Sequence, residues 1–211
     1  MIRAVVFDLD DTLMPETDYV KSGFKAIGKA FGDSFLGDKL WNLFCEDKNN
    51  VYQRAGFSEE ECQKCIEIYR KHFPDIVLDK RVERTLLELK RRGIKIGVIT
   101  DGRSEGQRNK VIALGLDKIM DCIIVTDELG GVEFRKPHPK AFELMRESLG
   151  VKFDEMIYVG DNPKKDFFIG SIYPIVTVRL CSKGMYGGES YLEGIKENKT
   201  ITVLSEILKE I

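Results

Sequence analysis

The sequence predicts an α/β fold in which a parallel β-sheet is flanked by helices and a small helical domain is inserted after the first strand. Two observations support this fold class. From Lys80 onward, short apolar runs alternate with amphipathic stretches, a pattern typical of βαβ units and a parallel sheet. Between Met14 and Lys80, apolar residues recur at helical spacing, and this region contains no convincing strand pattern.

The first strand is expected near the N-terminus and ends at an acidic residue. Val5, Val6 and Phe7 form an apolar run typical of a buried parallel strand. Asp8 follows at its carboxyl end, where open α/β sheets place their ligands. If the chain stays extended, Asp8 and Asp10 point to the same side, and their repulsion must be relieved by a proton, a cation or a cationic side chain. The alternative interpretation is an Asp-rich turn without chemistry.

Residues 15–80 are expected to form the inserted helical domain. Three apolar stripes at helical spacing mark its helices: Phe24, Ile27, Ala30 and Phe31; Leu40, Leu43 and Phe44; and Cys62, Ile66, Tyr69 and Phe73. Ser58 and Glu61 form a capping-box pattern ahead of the third stripe. The pattern predicts three or four short helices, and Pro74 begins an extended exit. A bundle of this size, with a hinge at each end, can gate a pocket.

Residues 1–14 and 81–211 are expected to form the sheet domain. Helices are predicted at 82–92, 104–114, 139–149 and 204–211, and strands at 2–7, 94–100, 122–126, 155–159, 175–178 and 200–203. Strands separated by helices of this length imply crossover connections and parallel neighbours. Residues 182–190 carry several glycines and are predicted to be a mobile loop.

Composition limits the partners and the compartment that we expect. The formal net charge of −2 provides no field that would attract nucleic acid or acidic lipid. No apolar run approaches the ~20 residues of a membrane span, and the N-terminus lacks a signal-peptide layout. The five cysteines are scattered and form no disulfide framework. These features predict a cytoplasmic protein without a nucleic-acid or membrane partner, and they leave its oligomeric state open.

Three predicted strands end in polar clusters that should meet at one edge of the sheet. The clusters are Asp8 with Asp10, then Thr100-Asp101-Gly102, then Gly160-Asp161. The segment Arg135-Lys136-Pro137 lies between the second and third clusters in the chain and can bring a cation to the same place. Carboxylate oxygens hold Mg²⁺, while a lysine and hydrogen-bond donors hold a phosphoryl group. Each motif alone also fits a purely structural role, as a strand end, a solvent-exposed lysine or a turn.

With these motifs in order, the sequence resembles the haloacid dehalogenase superfamily, in particular its phosphatases with a helical cap inserted after the first strand. The resemblance covers essentially the full chain. The motifs are Asp8-Leu9-Asp10-Asp11-Thr12, then Thr100, then Lys136, then Gly160-Asp161 through Asp166. The resemblance implies a Rossmann-like core formed by residues 1–14 and 81–211, and a helical cap formed by residues 15–80.

The resemblance also implies a role for each matching residue. Asp8 would be the nucleophile that becomes an aspartyl phosphate, and Asp10 the general acid and then the base. Thr100, with the backbone of Asp101 and Gly102, would hold the transferring phosphoryl group, and Lys136 would neutralise it. Mg²⁺ would be held by Asp8, the main-chain carbonyl of Asp10, and Asp161. Asp166 would bind the metal directly, bind it through water, or orient Lys136.

The resulting expectation is a magnesium-dependent phosphatase acting on a small phosphorylated metabolite such as a sugar phosphate, a nucleotide or phosphoglycolate. A phosphomutase of the same superfamily is the alternative enzyme. A dehalogenase fits less well, because Asp10 and Asp161 suit phosphoryl chemistry. A regulatory phospho-acceptor domain also collects acidic residues, a threonine and a lysine, but it is about half this length and has no inserted cap. A non-catalytic binding protein on the same fold is the last alternative.

Overall fold

The computed structural model describes residues 1–181, 184 and 190–211. Most of the predicted loop 182–190 therefore lies outside the described residues. Contacts divide the chain into two units, one formed by Met1–Glu16 with Val77–Ile211 and the other by Thr17–Ile76. The interpretation of residues 15–80 as a cap stays a prediction.

The first unit contains a six-stranded sheet in the order β3-β2-β1-β4-β5-β6, in which all paired neighbours are parallel. Its strands are β1 (Ala4–Phe7), β2 (Lys95–Thr100), β3 (Cys122–Val125), β4 (Met156–Gly160), β5 (Val176–Leu180) and β6 (Lys199–Ile201). Its helices are α5 (Lys80–Arg91), α6 (Ser104–Ala113), α7 (Lys140–Leu149) and α8 (Ile169–Ile172). The predicted α/β class with a Rossmann-like parallel sheet is confirmed.

The strand register brings the candidate site to the middle of the sheet. β1 lies between β2 and β4, and its last residue, Phe7, is level with Val98 and Val159. The backbone NH of Asp8 donates to the Val159 carbonyl at 2.8 Å, which extends the ladder by one residue. The carboxyl ends of β1, β2 and β4 therefore lie side by side, as a parallel sheet requires.

A continuous apolar core explains why β1 is central. All four β1 residues are buried, so the strand reads as an uninterrupted apolar run. Ala4 and Val6 pack in one cluster with Phe142 and Met145 of α7, while the alternating residues Val5 and Phe7 point to the opposite face. Such a strand has no polar side chain until Asp8, where the chain leaves the sheet.

Short 3₁₀ helices account for most differences from the predicted elements. They lie at Leu116–Lys118, Thr126–Leu129, Val132–Phe134, Phe153–Glu155 and Leu204–Lys209. The helix predicted at 204–211 is thus a 3₁₀ helix that ends at Lys209. Its start is held by Glu206, whose carboxylate accepts from the backbone NH groups of Thr202 and Val203. A segment this short cannot sustain an α-helix by propensity alone.

The second unit is entirely helical within the residues described. Its helices are α1 (Glu16–Phe31, which begins at the last residue of the first unit), α2 (Leu36–Glu46), α3 (Val51–Arg54) and α4 (Glu59–Lys71). Val20, Phe24, Ile27, Leu40 and Cys65 belong to its own apolar core. The capping box at the start of α4 is confirmed, because Ser58 accepts from the Glu61 NH and Glu61 accepts from the Ser58 NH. In the portion of the chain that the structure covers, no helix has the length and apolarity needed to cross a bilayer.

Candidate active site

The chain turns sharply over residues 9–13, directly after the first of the two N-terminal acids. Asp11 adopts a left-handed conformation with φ of 54°, and the Leu13 NH donates back to the Leu9 carbonyl at 2.9 Å. The chain therefore leaves the strand conformation by Asp11, and the two acids pair with different lysines. Asp8 contacts Lys136, while Asp10 contacts Lys110.

Lys136 lies at the centre of the most buried charge network in the site. Its Nζ lies 2.7 Å from Asp8 Oδ1 and 2.9 Å from Asp166 Oδ1, and it donates to the Tyr158 hydroxyl at 2.7 Å. The Tyr158 hydroxyl in turn donates to Asp166 Oδ1 at 3.1 Å. Burial opposes the charged form of Lys136, but the carboxylates of Asp166 and Asp8 outweigh it and raise the lysine pKa. Lys136 is therefore a permanent cation beside Asp8.

Asp8 is almost completely removed from solvent, with 2% of its surface exposed. Burial raises its pKa to about 6, and the charge of Lys136 limits that rise. The Lys136 ammonium at 2.7 Å favours the ionised form of the carboxylate and holds it in one orientation. A buried, ionised and fixed carboxylate has the properties of a nucleophile.

Asp8, Asp161 and Asp166 bring carboxylate oxygens within 4.8 Å of one another, and all three residues are buried. Burial, followed by the negative charges of Asp8 and Asp166, raises the Asp161 pKa to about 8. Asp161 Oδ2 is buried and has no hydrogen-bond partner among the described residues. An orphaned oxygen in a cluster of acids fits a hard divalent cation, which takes oxygen ligands and offsets their repulsion.

Asp166 differs from the other two acids because protein groups already occupy both of its oxygens. Oδ1 contacts Lys136 and Tyr158, and Oδ2 accepts from the Asn162 NH at 2.9 Å. Asp10 is predicted to bind the metal through its main-chain carbonyl, and its side chain is not part of the three-residue carboxylate cluster. Among the predicted metal residues, Asp8 and Asp161 thus have the side-chain geometry that best suits a cation.

Thr100 ends β2, and Gly102 lies in the segment that follows it. The Thr100 hydroxyl is buried and has no partner within the described part of the chain. An orphaned hydroxyl group suits a ligand that accepts hydrogen bonds. Gly102 has φ of 136°, and a Cβ there would lie 2.7 Å from Gln107 Nε2, so the position requires glycine.

Both carboxylate oxygens of Asp101 accept hydrogen bonds from other residues of the site. Its Oδ1 accepts from the Thr126 hydroxyl at 2.9 Å and from the Lys136 NH at 3.0 Å, and its Oδ2 accepts from Lys165 Nζ at 3.2 Å. Although burial opposes ionisation, the charges of Lys136 and Lys165 lower the Asp101 pKa. Asp101 therefore joins the segment after β2 to the two lysines.

Several residues at the site escaped the sequence analysis: Tyr158, Lys165, Thr126, Gln107 and Lys110. Tyr158 reads as an ordinary apolar residue of a buried strand. Lys165 sits inside the fourth motif, just after a turn sequence, and carries no signal there because lysines in turns are normally solvated. Lys110 lies in a helix, where the default expectation for a lysine is the solvent-exposed face.

The amino-acid sequence matches a known protein family over most of its length. The haloacid dehalogenase-like hydrolase family model matches residues 5–171. A glyceraldehyde 3-phosphate phosphatase of Methanocaldococcus jannaschii is 30% identical over 208 residues, covering 88% of this chain and 87% of the relative. Pyrophosphatase PpaX of Bacillus mycoides is 26% identical over 211 residues, covering 98% and 95%.

A solved structure shows the same fold over nearly the full length. The magnesium-bound HAD-hydrolase YfnB of Bacillus subtilis superimposes with a TM-score of 0.73 at 17% identity, covering 99% of this chain and 98% of that one. The likeness at this identity concerns the fold, whereas the family match concerns the sequence that carries the motifs. The chain therefore belongs to the haloacid dehalogenase-like hydrolases.

Proposed function

We propose that this hydrolase is a magnesium-dependent phosphatase that releases phosphate from a small phosphorylated metabolite through an aspartyl-phosphate intermediate. The observation that carries the proposal is the buried Asp8 carboxylate, which is held by Lys136 and lies within the acidic cluster with Asp161 and Asp166. The phosphatase names of two relatives support the same reaction class.

In the first step, an Asp8 carboxylate oxygen attacks phosphorus and the bond to the leaving oxygen breaks. Asp10 gives its proton to that oxygen, so the product leaves as a neutral alcohol. Lys136 fixes Asp8 Oδ1 at 2.7 Å, whereas Asp8 Oδ2 has Lys165 Nζ no nearer than 3.9 Å. Oδ2 is consequently the less engaged oxygen and the better placed to attack.

In the second step, water attacks the aspartyl phosphate and gives its proton to Asp10. The bond between phosphorus and the Asp8 oxygen breaks, inorganic phosphate leaves and the carboxylate is regenerated. Splitting one difficult hydrolysis into two displacements is the advantage of the covalent intermediate. Thr100 offers its orphaned hydroxyl group to the phosphoryl oxygens.

Mg²⁺ would be held by Asp8 and Asp161, and when bound it supplies the positive charge that lets an anionic nucleophile and an anionic substrate approach. Asp166 orients Lys136 through the 2.9 Å contact and through Tyr158. Lys165 adds a second positive charge near Asp8. Residues 15–80 are proposed as the cap that selects the leaving group, so substrate class depends on that unit.

The proposal is tested by substitution of the two N-terminal acids. Asp8→Asn is expected to abolish turnover and leave no covalent intermediate, because an amide is a poor nucleophile. Asp10→Asn is expected to slow reaction of an alkyl phosphate by roughly 10²- to 10⁴-fold, since the leaving oxygen then lacks its acid. Asp117→Asn, at an exposed position, is the matched control and should keep full activity.

Trapping distinguishes the two roles. With an aryl phosphate, whose leaving group is already stable, the Asp10→Asn variant should still be phosphorylated but should hydrolyse its intermediate slowly. Acid quench followed by peptide mass spectrometry should then show an increase of ~80 Da, the mass of an added phosphoryl group, on the peptide that contains Asp8. Label on another residue, or full activity of both variants, contradicts the mechanism. Full turnover with excess chelator contradicts the role of Mg²⁺.

A further inference from the structure

The helix α6 buries a polar face. Its buried residues are Gln107, Lys110 and Val111. Two of these three residues are polar, and one of the two, Lys110, is charged. A helix that packs on a sheet normally buries an apolar stripe, and lysine is almost never fully buried unless it is paired. Gln107 and Lys110 are three residues apart and so lie on neighbouring positions of one helix face. Their common target explains this unusual face.

That target is the carboxylate of Asp10. Lys110 Nζ lies 2.7 Å from Asp10 Oδ1 and 2.8 Å from Oδ2. Gln107 Nε2 donates to Asp10 Oδ2 at 3.1 Å and to the Asp101 carbonyl at 2.9 Å. Two side chains of one helix therefore hold both oxygens of a single carboxylate, and Gln107 joins it to the segment that follows β2.

We propose that Lys110 and Gln107 are positioning residues, which act through Asp10 by holding its carboxylate in the orientation needed for proton transfer at Asp8. The inference rests on the proposed function. It concerns where Asp10 is held, and neither residue touches the reacting atoms in this scheme.

Burial supports a specific role for Lys110. Its side chain is 4% exposed and that of Asp10 is 17% exposed, so the pair is largely shielded from water. Removing a buried cation from solvent is costly, and an apolar residue of similar size often packs at least as well. Stability alone therefore does not explain a lysine at this position, whereas a requirement to hold Asp10 does.

The position of Asp10 explains why it needs such support. It lies in the turn after β1, next to Asp11 with its left-handed backbone, where it forms an isolated bridge with Met14 outside the regular strand ladder. A general acid or base must come within hydrogen-bond reach of the proton it transfers, and a misplacement of about 1 Å costs as much as ~10²-fold in rate. The contacts from α6 therefore fix the side chain of a residue that the sheet does not hold.

The test is a double-mutant cycle read by leaving-group dependence. Lys110→Met and Gln107→Met remove the polar contacts with side chains of similar length, each alone and combined with Asp10→Asn. Lys118→Met, at an exposed position, is the control. The measured quantity is leaving-group release in a single turnover, with phenyl phosphate and 4-nitrophenyl phosphate as probes. The two probes have a similar shape, but their leaving groups differ in basicity. Phenolate, which leaves from phenyl phosphate, is the more basic and strongly needs a proton, whereas 4-nitrophenolate is already stable.

With phenyl phosphate, Lys110→Met is expected to slow release by roughly 10- to 100-fold and Gln107→Met by a smaller factor. With 4-nitrophenyl phosphate both losses should be several times smaller. In the Asp10→Asn background, either substitution should change the rate less than about twofold, because the group through which it acts is already lost. Gln107→Met carries the test if Lys110→Met fails to fold, which circular dichroism reveals.

The outcomes separate this inference from the function on which it rests. The positioning role is overturned if the Lys110 or Gln107 substitution slows release by the same factor in the Asp10→Asn background as in the unsubstituted protein. It is also overturned if the rate loss is equal for the two probes. Either result leaves the phosphatase mechanism intact. An Asp10→Asn variant that releases phenol at the wild-type rate overturns the proposed mechanism itself, and the positioning role falls with it.

Discussion

Lys136 Nζ lies 2.7 Å from Asp8 Oδ1. An ammonium group has three donors, and those of Lys136 face three oxygens, on Asp8, Asp166 and Tyr158. Within the described residues, Lys165 Nζ by contrast has one hydrogen bond, to Asp101 Oδ2 at 3.2 Å, and lies 3.9 Å from Asp8 Oδ2. The two lysines therefore differ in their capacity to bind an incoming anion: oxygens of the site take up the donors of Lys136, whereas the described residues take up one donor of Lys165.

Substituting these lysines should affect different kinetic constants. Lys165→Met is expected to weaken competitive inhibition by inorganic phosphate about 10-fold, the value of one charge-assisted hydrogen bond, with a smaller effect on kcat. Lys136→Met should reduce kcat severely and lower the free energy of unfolding by about 3–5 kcal/mol, because Asp8 and Asp166 would remain buried without their cation. Steady-state kinetics and urea unfolding measure both effects. Lys164→Met, exposed and adjacent in sequence, is the control; equal effects of the Lys136 and Lys165 substitutions on phosphate binding would contradict the distinction.

The side chain of Asp166, which pairs with Lys136, fills the space beside Gly160. A Cβ at Gly160 would lie 2.5 Å from Asp166 Oδ2 and 2.6 Å from Asp166 Cγ. Gly160→Ala should therefore displace Asp166, loosen Lys136, lower kcat and cost about 1–3 kcal/mol of stability. Thermal unfolding and kinetics check this. Gly170→Ala is the control, since its Cβ would lie no nearer than 3.3 Å to the neighbouring atoms; equal losses in both variants would show that the space beside Asp166 is not the cause.

The sheet could be predicted from the sequence because its central strands are buried on both faces. β1, β2 and β4 appear as apolar runs that stop at a polar cluster, and the structure places those clusters at neighbouring strand ends. Elements of three or four residues, such as α3 and the 3₁₀ helix at Thr126–Leu129, could not be predicted, since they are too short to show a period.

The candidate site could be predicted only where its residues match the family's motifs in order. Asp8, Lys136, Asp161 and Asp166 come together in the structure. The contacts of the Asp10 side chain are with Lys110 and Gln107 of α6, which lie outside those motifs. The role of Lys110 depends on which face of α6 is buried, and a lysine in a helix gives no sign that it is the exception.

Asp161 links the metal to stability in a pH-dependent way. In metal-free protein its pKa is raised from 3.8 to about 8, first by burial and then by the charges of Asp8 and Asp166. Between these two values the unfolded chain has released a proton that the folded protein retains, so the contribution of Asp161 to stability falls as pH rises through this window. Above a pH of about 8 the loss is complete.

Mg²⁺ should reverse this trend, because binding requires ionised carboxylates and competes with the proton on Asp161. The stabilisation by Mg²⁺ should therefore grow with pH across the same window and reach roughly 2–3 kcal/mol at a hundredfold excess over Kd. Asp161→Asn should remove most of this gain and should also unfold with a weaker pH dependence in chelator. The measurement is urea unfolding near the two ends of the window, with Mg²⁺ or with chelator, and exposed Asp154→Asn is the control. If Mg²⁺ stabilises Asp161→Asn as strongly as the unsubstituted protein, then Asp161 is not a ligand and the metal, if it binds, is held elsewhere.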